Sequence, residues 1–217
     1  MGYVEEPEIT KGSNPEDTFQ KAVVEELKKF LAEKKSNGTL VEYFILEKFG
    51  LDIAIFIKWP NNHFTVRFFE LKAFVGSRQG GVGFGNQKGE GSQIDLLLLE
   101  NSQLSLANQF IRWVLVDGTK PKGSSRFAIF DNNEAKNAAM GGVRRDKQNN
   151  LRVNDLMRNA ITWTQLIKRI RTYIMLKKRI ACGRTLTIGY LAAVLRISAQ
   201  ILAKLGLKIP ANRYWKL

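Results

Sequence analysis

Three residues have the types and spacing to do chemistry together: Asp52, Glu70 and Lys72. Asp52–Trp59 (DIAIFIKW) and Phe64–Val75 (FTVRFFELKAFV) are rich in β-branched and aromatic residues. Pro60-Asn61-Asn62-His63 lies between them, so the pair reads as a β-hairpin with His63 as an ordinary turn residue. Side chains two apart in a strand share a face, so Glu70 and Lys72 project together. Two charges on an otherwise apolar strand need partners, because an unpaired buried charge is costly. An ion pair between them would suffice. Adding Asp52 gives a second possibility. Two carboxylates converging at a strand end can bind Mg²⁺ through oxygen. The ion would polarise a phosphodiester and acidify a bound water, while the lysine orients that water or stabilises charge developing on phosphorus.

The hairpin register decides whether Asp52 joins the other two. A two-residue loop, Asn61-Asn62, pairs Asp52 with Leu71 and turns its side chain away from Glu70. A three-residue loop, Pro60-Asn61-Asn62, sets Asp52 beside Glu70 on one face. The chemistry therefore predicts the odd loop, or a bulge. Asn62 tolerates the left-handed conformation that such a loop wants.

An amphipathic helix precedes the hairpin. Asn14 caps it, Pro15 suits its first turn, and Glu16 and Asp17 suit its positive end. Phe19, Ala22, Val23, Leu27, Phe30 and Leu31 form its apolar stripe, and Ser36-Asn37-Gly38 is a stop signal. At about 100° per residue, Glu26 falls within about 20° of Phe19, inside the stripe, and Glu25 falls outside it. An acid in a core-facing stripe is unusual. Glu26 either snorkels, meets a basic partner, or faces the metal site across the sheet and holds a metal-bound water. The last reading is the expectation here.

Leu40–Phe49 is ambiguous between helix and strand. After the hairpin come seven glycines from Gly76 to Gly91, then a helix capped by Ser92 and running to about Leu106. Ile111–Val116 and Arg126–Phe130 read as strands, and Asn133–Met140 as a short helix. Asn154–Leu176 reads as one long helix or two, and Thr187–Leu205 as two short ones. The order is that of an α/β core over residues 1–150, with a basic all-helical C-terminal appendage over 151–217.

The set resembles the PD-(D/E)xK nuclease superfamily. Glu26, Asp52 and Glu70-Leu71-Lys72 stand in that family's order: an acid on the first helix, the Asp opening the second strand, and E-x-K in the third. Leu51 stands where the motif has proline. Glu26-Leu27-Lys28, Glu33-Lys34-Lys35 and Glu134-Ala135-Lys136 also match E-x-K, but only Glu70–Lys72 lies in a strand with the right neighbours. The resemblance covers roughly residues 14–130. It implies a restriction-endonuclease-like core, a mixed central sheet flanked by helices. It also implies Mg²⁺, with Mn²⁺ as a substitute, held by Asp52, Glu70 and Glu26. Gln93, near the start of the following helix, fits the residue that often completes the family's site.

Composition narrows the alternatives. One histidine and one cysteine (Cys182) exclude cysteine and histidine zinc clusters and an internal disulfide, and fit a cytoplasmic location. Gly80–Gly85 lacks a P-loop ending and a dinucleotide fingerprint, so no nucleotide cofactor is expected. The longest apolar runs are far below a membrane span, and the acidic N-terminal residues do not read as a signal peptide. Net charge is +14, and residues 151–217 carry 14 Lys+Arg against Asp155 alone. That surface suits a polyanion, DNA first. Arg78 and Lys88 in the glycine-rich stretch, and Lys168, Arg169, Arg171, Lys177, Lys178 and Arg179, are the expected phosphate contacts. Tyr190–Gly206 resembles a helix-turn-helix within 187–206, with Arg196 where the turn usually prefers glycine.

The leading expectation is a Mg²⁺-dependent DNA endonuclease of Holliday-junction type, acting as a homodimer because one site cuts one strand. A type II restriction endonuclease is the alternative within the family. Outside it stand a non-catalytic helix-turn-helix DNA-binding protein and a basic packaging protein.

Overall fold

A computed structural model describes residues 2–11, 14–47, 52–61, 64–76, 81–82, 111–131, 134, 151–152 and 156–176. Helix α1 (Pro15–Ser36) begins and ends at the expected signals. The Asn14 side chain accepts from the Asp17 amide at 3.4 Å, and Gly38 takes a left-handed φ of 74° just past the C-cap Asn37.

Among the described residues seven strands follow: β1 (Glu42–Glu47), β2 (Ile53–Lys58), β3 (Phe64–Phe74), β4 (Gly81–Val82), β5 (Ile111–Asp117), β6 (Phe127–Asp131) and β7 (Leu151–Arg152). Five of them form a mixed sheet in the order β1-β2-β3-β5-β6, and β4 pairs with β7. The pair β3/β5 is parallel, and the other pairs in the large sheet are antiparallel. The ambiguous stretch after α1 is thus an edge strand. Its run Tyr43–Leu46 has no polar alternation to identify it, and pairing with β2 decides its state.

The hairpin register runs from Ile53 opposite Phe69 to Lys58 opposite Phe64. One further step sets Asp52 opposite Glu70, the register that the chemistry requires. Pairing stops at Lys58–Phe64, so residues 59–63 connect the strands. The connection is longer than the three residues expected and has the same odd parity.

Helix α2 (Trp163–Met175) is capped by Thr162 in a capping box with Gln165. It lies in one hydrophobic core with α1 and one sheet face, where Phe19, Val23, Leu27, Ile53, Ile55, Phe69, Leu71, Val114, Leu166 and Ile170 are all buried. This segment, expected in a basic appendage, belongs instead to the core, because its stripe of Trp163, Leu166, Ile167, Ile170 and Ile174 covers the sheet beside α1. Residues 177–217, with the expected helix-turn-helix, lie outside the described residues. So do the helices expected over 92–106 and 133–140, apart from Glu134.

A buried ion pair ties α1 to α2. The Glu26 side chain is 1% exposed, and its Oε1 accepts from Arg171 Nε at 2.7 Å and from a second guanidinium nitrogen. Its Oε2 accepts from the Val4 amide at 2.8 Å. The Arg171 guanidinium also lies over the rings of Tyr3 and Phe30, at 4.5 and 5.1 Å. The N-terminal segment continues as a strap: Trp163 Nε1 donates to the Val4 carbonyl, and buried Arg126 donates to Glu6 and to the Pro7 carbonyl.

Removing one partner of such a pair leaves the other charge buried and uncompensated. Glu26→Ala should therefore lower stability by about 3 kcal/mol. Arg171→Ala should cost a similar amount, and the double variant less than the two added together. Urea unfolding of the four proteins measures this. Strictly additive losses would show that the pair is not coupled.

Candidate active site

The site forms where β2 stops and β3 continues. Among the described residues, Glu70–Phe74 have no β2 partner beyond the Ile53–Phe69 pair and pair with β5. Asp52 closes that open end. Its amide donates to Glu70 Oε2 at 3.3 Å, and its Oδ2 accepts from the Leu71 amide at 2.7 Å. A side-chain carboxylate thus takes a strand donor left over by the ladder. Gln20 on α1 donates from Nε2 to the Asp52 carbonyl and to Glu47 Oε2, each at 3.3 Å. Lys72 Nζ lies 2.7 Å from Glu70 Oε1 and 3.2 Å from Glu16 Oε1.

The electrostatics follow from burial. The Glu70 side chain is 1% exposed and that of Lys72 14%. Burial pushes the Glu70 carboxyl up to about 7, with the Asp52 charge adding to the rise and Lys72 opposing it. Lys72 itself is raised: burial works against its charge, but Glu70, Glu16 and Asp52 outweigh it. The two directions pull against each other, since the largest upward influence on Lys72 is an ionised Glu70. Desolvation of Glu70 is the larger effect and decides that carboxyl's sign.

This is a donor set that suits a divalent cation. Among the described residues no three His, Cys, Asp or Glu side chains gather around one point as a ready-made cage. Mg²⁺ does not need one, since it is commonly held by one or two carboxylates, with water and substrate phosphate as the other ligands. Asp52 and Glu70 supply two carboxylates side by side. With Lys72 in contact, Glu70 still sits high, so the position favours more positive charge than the lysine provides.

Asp52, Glu70 and Lys72 therefore come together. Glu26 does not join them, which corrects its expected place at the metal. Successive side chains in β3 alternate faces, and α1 covers the face of Phe69 and Leu71, opposite Glu70. Glu26 lies mid-helix on that covered side and meets the basic partner Arg171. Only the first turns of α1 reach the strand end, where they supply Glu16 and Gln20. Sequence analysis missed both. The helical wheel held a signal for one, since Glu16 also falls about 60° from Phe19, within the stripe.

Arg171, expected on phosphate, is instead held by Glu26, Tyr3 and Phe30. Lys168 and Arg169 are exposed on α2. Arg78, Lys88, Gln93, Lys177, Lys178, Arg179 and Arg196 lie outside the described residues. Among the described residues no helix is long and apolar enough to cross a membrane. No protein-family model, curated protein or solved structure matches the chain.

Burial raises Glu70 above its ordinary value of 4.5, so the fold favours the neutral acid. The stability this confers is full below pH 4.5 and is lost as pH rises through about 7. Gln is neutral throughout. Between pH 5 and 8 in EDTA, the wild type should lose up to roughly 3 kcal/mol relative to Glu70→Gln. Urea midpoints at several pH values test this, and parallel pH profiles would contradict it.

Proposed function

We propose that this protein is a divalent-metal-dependent DNA endonuclease built on a restriction-endonuclease-like core. The observation that carries the reading is the convergence of Asp52, Glu70 and Lys72 where β3 outruns β2. The order α1, antiparallel β1-β2-β3, then parallel β5, supports it, as does the positive charge beyond residue 150.

In this reading Asp52 and Glu70 would hold Mg²⁺, which would supply Lewis-acid activation of the scissile phosphate and of the attacking water. The chain's own groups supply the rest. The Leu71 amide orients the Asp52 carboxylate, and Gln20 steadies the same residue's backbone. The Asp52 amide and Lys72 orient Glu70. Lys72, charged and mostly buried, orients the attacking water or stabilises negative charge gained by the phosphoryl oxygens. Glu16 is a positioning residue that holds Lys72 from its other side.

The substrate proposed is a branched DNA of Holliday-junction type, cut by a homodimer in the cytoplasm. Junction enzymes read shape through phosphates, which suits diffuse positive charge without a base-reading motif. A second reading rests on the 2.7 Å contact between Lys72 and Glu70: the pair is structural, and the protein binds DNA without cutting it.

Labelled four-way junctions, matched duplexes and plasmid DNA, each with Mg²⁺ or EDTA, separate the readings. Wild type should cut in Mg²⁺ only. Asp52→Asn and Lys72→Ala should lose about 100-fold or more in rate, and Glu16→Gln about tenfold, with binding in EDTA retained in all three. Binding without cutting on every substrate would establish the second reading, and cutting unchanged in Asp52→Asn would remove this site from the reaction.

A further inference from the structure

A basic groove lies on the sheet face opposite Glu70. It is an open depression of about 460 Å³ between α2 and the start of β5, lined by Arg112, Gln165, Lys168, Arg169, Thr172 and Tyr173, among others. That volume lies in the range of sites that hold small organic ligands. Arg112 pairs in register with Phe69, whose ring meets Tyr173 edge-on at 5.5 Å, so this is the α2-covered face. Glu70 pairs with Trp113, the next residue along, and projects the other way.

The base of the groove is hydrogen-bonded, and among the described residues its lining carries no acid. Buried Arg67 donates to the Tyr173 carbonyl at 3.2 Å and to that of Leu176, which pins the end of α2. The Arg112 guanidinium stacks 4.2 Å from the centre of the Tyr173 ring, and that of Arg67 lies 5.2 Å from it. Burial keeps the Tyr173 phenol neutral, with its pKa raised to about 12. Asp131, opposite Arg112 in the β5–β6 register, lies near enough for its charge to act on Tyr173, and its Oδ1 accepts from the Glu134 amide. Helix α2 contains no Asp or Glu.

We propose that this groove is a phosphate subsite for the nucleic-acid backbone, in which Arg112, Lys168 and Arg169 hold a phosphate away from the bond being cut. The proposal rests on the nuclease reading for its ligand, not for its geometry. Two exposed cations on α2 face a third that is fixed by stacking, and a phosphodiester is the polyanion group that fits three donors of this kind. Because the groove and the Asp52–Glu70 pair lie on opposite sheet faces, one short straight duplex should not fill both. A strand that wraps the sheet edge, or a second arm of a branched substrate, would.

The test is binding, measured in EDTA by fluorescence anisotropy with a labelled four-way junction. The proteins compared are Lys168→Glu/Arg169→Glu, Thr172→Glu and the charge control Lys21→Glu, which lies on the exposed side of α1. The double variant should weaken binding more than about tenfold, and the slope of log affinity against log salt should become shallower by about one to two. Thr172→Glu places an acid in the groove and removes no cation, and it should weaken binding severalfold with its thermal midpoint unchanged. Losses no greater than that of Lys21→Glu, or a double-variant effect seen only on anionic phospholipid vesicles, would overturn the subsite. Because EDTA abolishes any cleavage, this result stands apart from the nuclease test: an inactive protein whose groove variants lose DNA would keep the subsite and lose the nuclease.

Discussion

The structure turns on one constraint: a carboxylate, Glu70, is buried where the β2–β3 ladder runs out. A ladder end leaves backbone donors without partners, and burying them would be costly. Asp52 resolves this by reciprocity. Its amide serves the Glu70 side chain, and its side chain serves the Leu71 amide. Two carboxylates are thereby brought side by side in a place that penalises charge. Lys72 offsets part of that penalty and is itself steadied by Glu16. Burial at this fixed point disfavours the Glu70 charge, and in the proposed reading a divalent cation would offset it.

Helix α1 serves two purposes along its length. Its first turns reach the open strand end and supply Glu16 and Gln20. Its middle lies over the opposite face and supplies Glu26 to a buried pair with Arg171, under the N-terminal strap. The first of these depends on where β2 begins. A β2 strand longer by a few residues would cover β3 where Lys72 and Glu16 now meet. The two acids of α1 thus have unlike roles although both fall within its buried stripe. Their height along the helix, not their angle around it, separates them.

Much of the site was legible in the sequence, for identifiable reasons. Asp52, Glu70 and Lys72 could be placed because strand periodicity is strict and one parity of the hairpin brings them to one face. The ends of α1 were readable because Asn14, Pro15 and Gly38 act locally. Glu26 was correctly read as buried, but periodicity gives no sheet face, and its partner lies far along the chain in Arg171. Gln20 carried no signal, since a glutamine beside a buried stripe is common. Edge strand β1 was not separable from helix, because its state is set by β2 and not by its own residues. Arg171 looked like a phosphate contact for the same reason that Glu26 looked like a ligand: each charge was considered without the other.

The central claim is that Asp52 and Glu70 together hold a divalent cation. Calorimetric titration of Mn²⁺ into the wild-type chain at pH 7.5, repeated with Asp52→Asn and Glu70→Gln, tests it most directly. Because Glu70 is raised to about 7, binding should release a fraction of a proton, so the wild-type heat should change between buffers of different ionisation enthalpy. The account predicts saturable binding with that buffer dependence, lost in both variants. Wild type that takes up no Mn²⁺, or variants that bind it as the wild type does, would contradict it.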